Sequence, residues 1–255
     1  MSYVKPKKNL GQHFLIDQNI ALKIVDSLGT DTKDVLEIGP GMGVLTQYLL
    51  KRPEINLHAI EIDRDSVQFL QENFIELEHI WSEDFLKTDL AGKFQGDFSI
   101  IGNFPYNISS QIFFKVLEHR NRVPEVVGMI QKEVAERIAG AHGRKTYGIL
   151  SVLLQTYYNI EYLFTVSEHV FDPQPKVKSA VIRLKRNSRK ELPCDETFFV
   201  KVVKSAFHLR RKMLRNSLKA ICENLPENYA TKRPEQLSVQ DFIDLTVAIE
   251  NLKKE

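Results

Sequence analysis

Short apolar runs alternate with helix-like segments through the first two-thirds of the chain, and this alternation leaves few possible folds. Four runs rich in Val and Ile, bounded by Gly, Asp or Asn, are predicted as strands: residues 35–38, 57–62, 98–101 and 126–130. Residues 44–50, 66–74 and 109–119, between these runs, have helical spacing. Strands that alternate with helices predict an α/β fold, in which helices cover both faces of a parallel sheet.

The last third of the chain departs from this alternation. Residues 162–166 and 180–184 are predicted as two more strands, which we interpret as a hairpin added at an edge of the sheet. Residues 187–193 are polar and end in proline, which is typical of a linker, and the pattern beyond them is helical. We therefore predict a Rossmann-like α/β domain over residues 1–188 and a small helical domain over residues 189–255.

The composition argues against several classes of protein. No apolar run approaches the roughly 18–20 residues that a membrane span needs, and no apolar segment follows the lysines near the N-terminus as it would in a signal peptide. Cys194 and Cys222 are the only cysteines, and their spacing suits neither a disulfide framework nor a zinc site. We expect a cytoplasmic protein that binds no metal and does not associate with a membrane.

A glycine-rich turn follows the first predicted strand and leads into a helix. Gly39, Gly41 and Gly43 allow the backbone to turn tightly and to approach a ligand closely, so Gly39 and Gly41 are candidate cofactor-binding residues. Ligands of open α/β sheets bind at the carboxyl ends of the strands, where this turn lies. A dinucleotide site is the competing interpretation, but its G-x-G-x-x-G pattern would need a glycine at the position of Val44.

Two acidic residues extend the predicted site. Glu61 lies at the end of the second predicted strand, twenty residues after Gly41, at a spacing typical of a carboxylate that binds the ribose hydroxyls of an adenosine. Asp63 and Asp65 are better placed to cap the following helix. Asp84 ends another predicted strand and is suited to accept a hydrogen bond from the exocyclic amine of adenine. Together with the glycine turn, these acids predict a site for an adenosyl cofactor.

The segment Asn-Phe-Pro-Tyr at residues 103–106 follows the third predicted strand. The exocyclic nitrogen of adenine is a poor nucleophile because its lone pair is delocalised into the ring, and the Asn103 side chain and the Phe104 carbonyl can both accept hydrogen bonds from it. Pro105 has a fixed φ that makes the loop rigid, and Tyr106 offers a ring on which a base can stack. The segment predicts methyl transfer to an amine, driven by positioning and electrostatics. A simple turn that ends a strand is the alternative interpretation.

Basic residues are concentrated in one part of a chain whose net charge is only +2. Residues 199–219 contain seven basic residues and no acidic one. A continuous helix would place most of them on one face, whereas a break near His208 would give two helices with adjacent basic ends. Both arrangements predict contacts with phosphates, and a solvated helix face is the alternative. The candidate RNA-binding residues are Lys201, Lys204, Arg210, Arg211, Lys212 and Arg215.

Seven motifs spread over nearly the whole chain resemble the ribosomal RNA adenine dimethyltransferases, and within that family the bacterial enzymes of the small subunit. They occupy residues 8–15, 37–46, 103–109, 131–134, 147–152, 171–179 and 207–212. The resemblance implies a Rossmann-like class I methyltransferase domain with a small C-terminal helical domain. It implies S-adenosyl-L-methionine as methyl donor, without a metal, and N6,N6-dimethyladenosine at two adjacent adenosines near the 3′ end of 16S rRNA as product. The expected partner is the small ribosomal subunit or its precursor, and the expected form is a monomer.

The same resemblance implies roles for individual residues. The implied contacts of the methyl donor are His13, Leu15, Gly39, Glu61, Asp84 and Asn103. Tyr106 and Phe171 are implied to enclose the target adenine between their rings. The family usually has asparagine where His13 stands and leucine where Phe104 stands, and the latter position is expected to act through its backbone.

Three other functions are compatible with parts of this pattern. A large-subunit methyltransferase that confers macrolide resistance would modify a different rRNA. A ribosome-assembly factor could keep the fold and bind RNA without catalysis, although Glu61, Asp84 and residues 103–106 argue for activity. A NAD-dependent oxidoreductase is disfavoured by Val44 and by the lack of an obvious acid or base for hydride transfer.

Overall fold

A computed structural model describes residues 4–29 and 32–253 of the chain. The strands of these residues are β1 (Phe14–Leu15), β2 (Asp34–Ile38), β3 (Asn56–Ile60), β4 (His79–Trp81), β5 (Phe98–Asn103), β6 (Glu125–Gln131), β7 (Tyr158–Val166), β8 (Phe171–Asp172) and β9 (Ser179–Arg186). Their α-helices are α1 (Gln18–Asp26), α2 (Thr46–Leu49), α3 (Arg64–Asn73), α4 (Leu90–Lys93), α5 (Ser109–Glu118), α6 (Lys132–Ile138), α7 (Ile149–Tyr157), α8 (Glu196–His208), α9 (Leu214–Ser217), α10 (Glu227–Ala230) and α11 (Val239–Leu252). Short 3₁₀ helices cover Lys8–Leu10, Glu168–Val170 and Pro234–Gln236.

Seven of the strands form one sheet, in the order β4-β3-β2-β5-β6-β9-β7. β2 pairs in parallel with β3 and β5, β3 with β4, and β5 with β6. The four strands predicted from apolar runs correspond to β2, β3, β5 and β6, so the predicted parallel sheet is confirmed. β3 ends at Ile60 rather than at residue 62, because Asp63 already caps the following helix α3 by accepting a hydrogen bond from the Asp65 N–H at 3.1 Å.

The two later predicted strands, β7 and β9, lie at one end of this sheet. β9 runs antiparallel to β6, with Ser179 opposite Gln131, and β7 lies beyond it. The two strands are neighbours at this edge of the sheet, as predicted, but their connection is long and leaves the sheet to form β8. β8 pairs antiparallel with β1, with Leu15 opposite Phe171. The sequence does not predict this small second sheet, since two-residue strands carry no periodicity.

The central strands are buried on both faces, as a parallel sheet covered by helices requires. Ile100 and Ile101 of β5 and Val126 and Val127 of β6 have no exposed surface. Neighbouring positions of one strand are therefore buried on opposite faces, which explains why these runs are mostly apolar without a polar residue at every second position. The packing also holds the carboxyl ends of the strands in place, and the residues that follow these ends are positioned by the sheet.

The chain divides into two compact units. The first comprises Met1–Ala135 and Asn159–Arg186, and the second comprises Glu136–Tyr158 and Asn187–Glu255. The predicted domain boundary at residues 188–189 lies near the start of the last of these segments, whereas α7 belongs to the helical unit and not, as predicted, to the α/β domain. Residues 1–3 and 254–255, at the ends of the predicted domains, lie outside the described residues.

The helical unit has an aromatic core. The rings of Phe207 and Phe242 stack with centroids 5.8 Å apart, and Tyr147 packs edge-on against Phe207. Tyr147 lies two residues before the start of α7, so this ring explains why the segment belongs to the helical unit. None of the helices within residues 4–29 and 32–253 is long and apolar enough to cross a membrane.

Candidate active site

The glycine turn after β2 has the conformation that its sequence predicts. Gly39, Gly41 and Gly43 have positive φ angles of 64°, 57° and 78°, in a region that other residues rarely adopt. A Cβ at Gly41 would also lie 2.8 Å from the ring of Phe14. Position 41 therefore needs glycine for two independent reasons, and the N-terminal segment packs directly on the backbone of the turn.

A pocket opens at the carboxyl ends of β2, β3 and β5, where a parallel sheet places its ligand sites. Its walls are formed by residues 10–14, by the glycine turn, by Glu61 and Ile62, and by residues 103–106. The structure thus brings together the following predicted site residues: His13, Gly39, Gly41, Glu61, Asn103, Pro105 and Tyr106.

Glu61 is a buried carboxylate in the wall of this pocket. One of its oxygens accepts a hydrogen bond from the backbone N–H of Gly41 at 3.1 Å, and the other accepts one from the N–H of Asp63 at 2.9 Å. Burial raises the pKa of the Glu61 carboxyl, and hydrogen bonds from the backbone oppose the rise. Because a carboxylate has about four acceptor positions, Glu61 keeps capacity for a hydroxyl donor from a ligand.

Ile62 is a pocket residue that was not among the predicted site residues. It follows Glu61 directly and lines the pocket, and half of its surface is exposed. An exposed apolar side chain next to a carboxylate provides a surface for a flat ring beside a hydroxyl-binding group. The sequence offered one signal for this role. Ile62 is an apolar residue between the acids Glu61 and Asp63 at the end of a strand, where a buried core residue is not expected.

Asn103, the last residue of β5, has a defined side-chain orientation. Its NH2 group donates a hydrogen bond to the carbonyl oxygen of His13 at 2.9 Å. No partner for the side-chain oxygen occurs among residues 4–29 and 32–253. The backbone N–H of Phe104 donates to the carbonyl of Met129 at 3.0 Å, which ties the loop to β6. The Asn103 oxygen is therefore a free acceptor on a rigid loop in the pocket wall.

The Phe104 ring packs in the core and is only 1% exposed. It lies against two glycines of the sheet, since a Cβ at Gly102 or Gly128 would come within 3.0 Å and 2.5 Å of the ring. These glycines make room for a ring where the resembled family has leucine. The side chain thus has a structural role, in agreement with the expectation that position 104 contributes to the site through its backbone.

Tyr106 and His13 lie side by side in the pocket wall. Their rings stack with centroids 5.4 Å apart and planes inclined by 28°. The Tyr106 hydroxyl lies 2.5 Å from Oγ of Ser179, and burial raises the pKa of this hydroxyl, so it is protonated at neutral pH. Nδ1 of His13 lies 2.6 Å from the carbonyl oxygen of Pro173. Because a carbonyl only accepts hydrogen bonds, Nδ1 carries a proton.

The N-terminal wall of the pocket is anchored by Asp63. This carboxylate accepts hydrogen bonds from the Lys7 ammonium and from the Gln12 amide, the latter at 2.9 Å. Burial opposes ionisation of Asp63, but these hydrogen bonds hold the pKa of the carboxyl below its usual value. The predicted capping role of Asp63 is confirmed, and its role as anchor for residues 7–12 is one that the sequence did not indicate.

Three predicted site residues do not line this pocket. Asp84 accepts a hydrogen bond from the N–H of Leu86 at 3.0 Å and lies 3.6 Å from the Lys87 ammonium, so its carboxylate is engaged within its own loop. Leu15 and Phe171 face each other across the small sheet and are almost fully buried in the hydrophobic core. The contacts implied for these three residues stay predictions.

Glu37, on β2, is a buried acid that the sequence analysis did not single out as a site residue. Its carboxylate is 1% exposed and accepts a hydrogen bond from the Thr46 hydroxyl at 2.7 Å. Burial raises the pKa of the Glu37 carboxyl to about 8, although the bond from Thr46 opposes the rise. Glu37 also lines a second, smaller pocket together with Leu15 and Asn103. The group is therefore largely uncharged at neutral pH.

Replacement of Glu37 by glutamine is expected to stabilise the protein in a pH-dependent way. The folded pKa of about 8 lies above the ordinary value of 4.5, so the folded state resists ionisation while the unfolded chain ionises. As the pH rises from 4.5 to 8, the free energy of unfolding of the wild type should therefore fall relative to that of Glu37→Gln. One pKa unit corresponds to about 1.4 kcal/mol, so the total difference should reach a few kcal/mol. Denaturant unfolding at several pH values measures the difference, with exposed Glu76→Gln as control. Parallel stability curves for the wild type and Glu37→Gln would contradict this account.

The basic run is divided between two helices. α8 ends at His208 and α9 begins at Leu214, so the structure has the break rather than the continuous helix. Arg210 donates hydrogen bonds to the carbonyl oxygens of Arg144 and Lys145. The other candidate RNA-binding residues have exposed side chains: Lys201, Lys204, Arg211, Lys212 and Arg215. Their contact with phosphates stays a prediction.

One protein family matches nearly the whole sequence. It is described as "Ribosomal RNA adenine dimethylase", and the match covers residues 4–253. The chain is 60% identical, over 252 residues, to a protein of Cytophaga hutchinsonii named "Ribosomal RNA small subunit methyltransferase A"; the match covers 96% of this chain and 98% of that protein. A protein of the same name from Parabacteroides distasonis is 58% identical over 253 residues, with 97% and 95% of the two chains covered.

Two solved structures have a similar fold over almost the whole chain. A dimethyladenosine transferase from Plasmodium falciparum has a TM-score of 0.78 at 22% identity and covers 94% of this chain and 98% of its own. The 23S rRNA methyltransferase ErmE has a TM-score of 0.70 at 25% identity and covers 92% of this chain and 99% of its own. At these identities the likeness concerns the fold, and it confirms the predicted fold class.

Proposed function

This chain belongs to the ribosomal RNA adenine dimethylase family, and we propose that it methylates N6 of two adjacent adenosines near the 3′ end of 16S rRNA, with S-adenosylmethionine as methyl donor. The observation that carries the proposal is the identity of 58–60%, over nearly the full length, to proteins named small subunit methyltransferase A. The proposed substrate is the small ribosomal subunit or its precursor, in the cytoplasm. The proposed form is a monomer, as the resemblance to the family implies.

The residues of the pocket fit this methyl donor. Glu61 has acceptor capacity for ribose hydroxyls, and Ile62 offers an apolar surface for the adenine ring. Gly39 and Gly41 allow the donor to lie against the backbone, because neither carries a Cβ into the pocket. In the described part of the chain, no group of three or more His, Cys, Asp or Glu side chains is placed to hold a metal ion, and the proposal includes none.

The loop at residues 103–106 can activate the target amine without a strong base. When bound, S-adenosylmethionine supplies a methyl group on a sulfonium, which an amine can attack in line. The free oxygen of Asn103 and the carbonyl of Phe104 accept hydrogen bonds from the amine and favour a lone pair directed at the methyl group. Pro105 and the Phe104 N–H bond to β6 hold this loop rigid, and Tyr106 provides the ring on which the base stacks.

Mapping of the methylated base tests the proposed substrate. The protein is incubated with labelled methyl donor and either unmethylated small subunits, naked 16S rRNA or large subunits. We expect label on N6 of two adjacent adenines of the small-subunit rRNA. Label on the large subunit would instead favour the activity in the name of ErmE, and binding without label would favour an assembly factor.

Replacement of Glu61 by alanine should weaken binding of the methyl donor by about tenfold or more, because a hydrogen bond to a charged group is worth roughly 1.5–3 kcal/mol. Calorimetric titration of the methyl donor into the folded variant measures the loss. Glu61→Gln keeps an acceptor oxygen and should lose less, and Glu76→Ala, which removes an exposed carboxylate, should bind as the wild type does. Unchanged affinity of Glu61→Ala would exclude Glu61 from the site.

A further inference from the structure

The ring of Tyr106 is held by two residues that have no role in the activation of the amine proposed above. Its hydroxyl contacts Oγ of Ser179, which is fully buried as the first residue of β9. The ring of His13 stacks on one of its faces. A hydrogen bond at the end of a ring and a stacked neighbour on its face together restrict both rotation and tilt. Tyr106 is therefore an ordered side chain in an open pocket.

The two anchors are themselves fixed. Ser179 lies opposite Gln131 in the antiparallel pairing of β6 and β9, so the sheet sets its position. His13 is held by its Nδ1–H bond to the Pro173 carbonyl at 2.6 Å and by the Asn103 amide on its own carbonyl at 2.9 Å. Both anchors thus have defined positions, and His13 links the Tyr106 ring to Asn103.

We propose that Ser179 and His13 are positioning residues, which hold the Tyr106 ring in the orientation in which it stacks on the target adenine. The inference rests on the proposed function, in which Tyr106 carries the base. An aromatic ring has two faces, and because His13 stacks against one of them, the base is expected on the other face. Stacking then requires no reordering of the ring, so less free energy is lost when the base binds.

A double-mutant cycle on the two hydroxyls tests the role of Ser179. Ser179→Ala and Tyr106→Phe each remove one partner of the hydrogen bond, and Tyr106→Phe keeps the stacking ring. We expect each single variant to lower kcat/KM for small subunits by about three- to tenfold. The double variant should lose no more than the worse single variant, because each hydroxyl acts through the other. Wild-type kcat/KM in both single variants, or losses that add in the double variant, would overturn the role of Ser179.

Ser99→Ala is the matched control for the loss of a buried serine hydroxyl. Ser99 is 1% exposed, hydrogen-bonds to Thr32, and lies at the amino end of β5, away from the pocket. The Ser99→Ala variant should have a normal kcat/KM even if its melting temperature falls as far as that of Ser179→Ala. If Ser179→Ala does not fold, Tyr106→Phe alone decides, since a normal kcat/KM in that variant contradicts the role of Ser179.

Two substitutions separate the His13 ring from its hydrogen bond. His13→Phe keeps a ring that can stack on Tyr106 but loses the bond to Pro173, whereas His13→Ala loses both. At saturating methyl donor, we expect His13→Phe to retain several-fold more kcat/KM for small subunits than His13→Ala. Equal losses in the two variants would mean that the ring does not position Tyr106, and a gain in His13→Ala would mean that the ring occupies the site of the base.

Tyr106→Ala distinguishes failure of this inference from failure of the proposed function. If Tyr106→Ala methylates small subunits normally, the stacking role of Tyr106 is wrong, and the roles of both anchors fall with it. If Tyr106→Ala is strongly impaired while Ser179→Ala, Tyr106→Phe and His13→Ala are normal, the proposed function stands and the anchoring is wrong. Methyl donor affinity, measured by titration for each variant, shows whether the donor site is intact.

Discussion

Replacement of Asn103 by alanine should lower the rate of methyl transfer by about 10²–10³-fold, the loss that follows removal of one well-placed polar partner at a reacting centre. The NH2 group of Asn103 is held by the His13 carbonyl, which leaves the side-chain oxygen to accept a hydrogen bond from the target amine. Alanine removes this acceptor, so the lone pair of the amine stays delocalised in the ring. Single-turnover methylation of unmethylated small subunits at saturating methyl donor measures the rate without a contribution from product release.

Titration of the methyl donor separates this loss of rate from damage to the pocket. Asn103 lines the pocket, so a modest loss of donor affinity is expected, and it is much smaller than the loss of rate. Asn73→Ala, which replaces an exposed asparagine of α3, should react at the wild-type rate. A near-normal rate for Asn103→Ala would exclude the side chain from activation of the amine.

The fold could be predicted where the sequence carries a period. The strands β2, β3, β5 and β6 are mostly apolar on both faces because both faces of a central parallel strand are buried. The β1–β8 pair carries no such signal, since two residues do not make a pattern. The helix α7 was not assigned to the helical unit, because the packing of Tyr147 on Phe207 joins residues far apart in sequence.

The site could be predicted where residues directly follow a strand. Glu61 and Asn103 lie at the carboxyl ends of β3 and β5, the two parallel strands that flank β2, and the topology alone brings such ends together. The anchors of Tyr106 could not be found in this way, because Ser179 and His13 reach it through the packing of other elements. The implied partner Phe171 is buried in the core, which no local motif indicates.

Reversing the charges of Arg211, Lys212 and Arg215 to glutamate should weaken binding to small subunits by about 10²-fold or more at 0.1 M salt. The reason is that each phosphate contact raises the binding constant by nearly one power of ten when the salt concentration falls from about 1 M to 0.1 M. These side chains are exposed in and around the break between α8 and α9. Arg210 is left unchanged, since its guanidinium already binds the backbone carbonyls of Arg144 and Lys145. Methyl donor affinity should not change, because none of the substituted residues lines the donor pocket.

The salt dependence of binding identifies the kind of contact that is lost. Removal of three phosphate contacts should flatten the plot of log affinity against log salt by about two to three units. In a control variant, Lys23, Lys33 and Lys51 are reversed to glutamate. This variant has the same net charge as the first, but its substitutions lie at exposed positions on other elements, so it should keep most of the wild-type slope. If the Arg211, Lys212 and Arg215 variant binds as the wild type at every salt concentration, this run is a solvated surface. The phosphate contacts would then lie among other exposed cations such as Lys5, Lys8 and Lys145, and not at Lys7, whose ammonium is paired with Asp63 and Asp65.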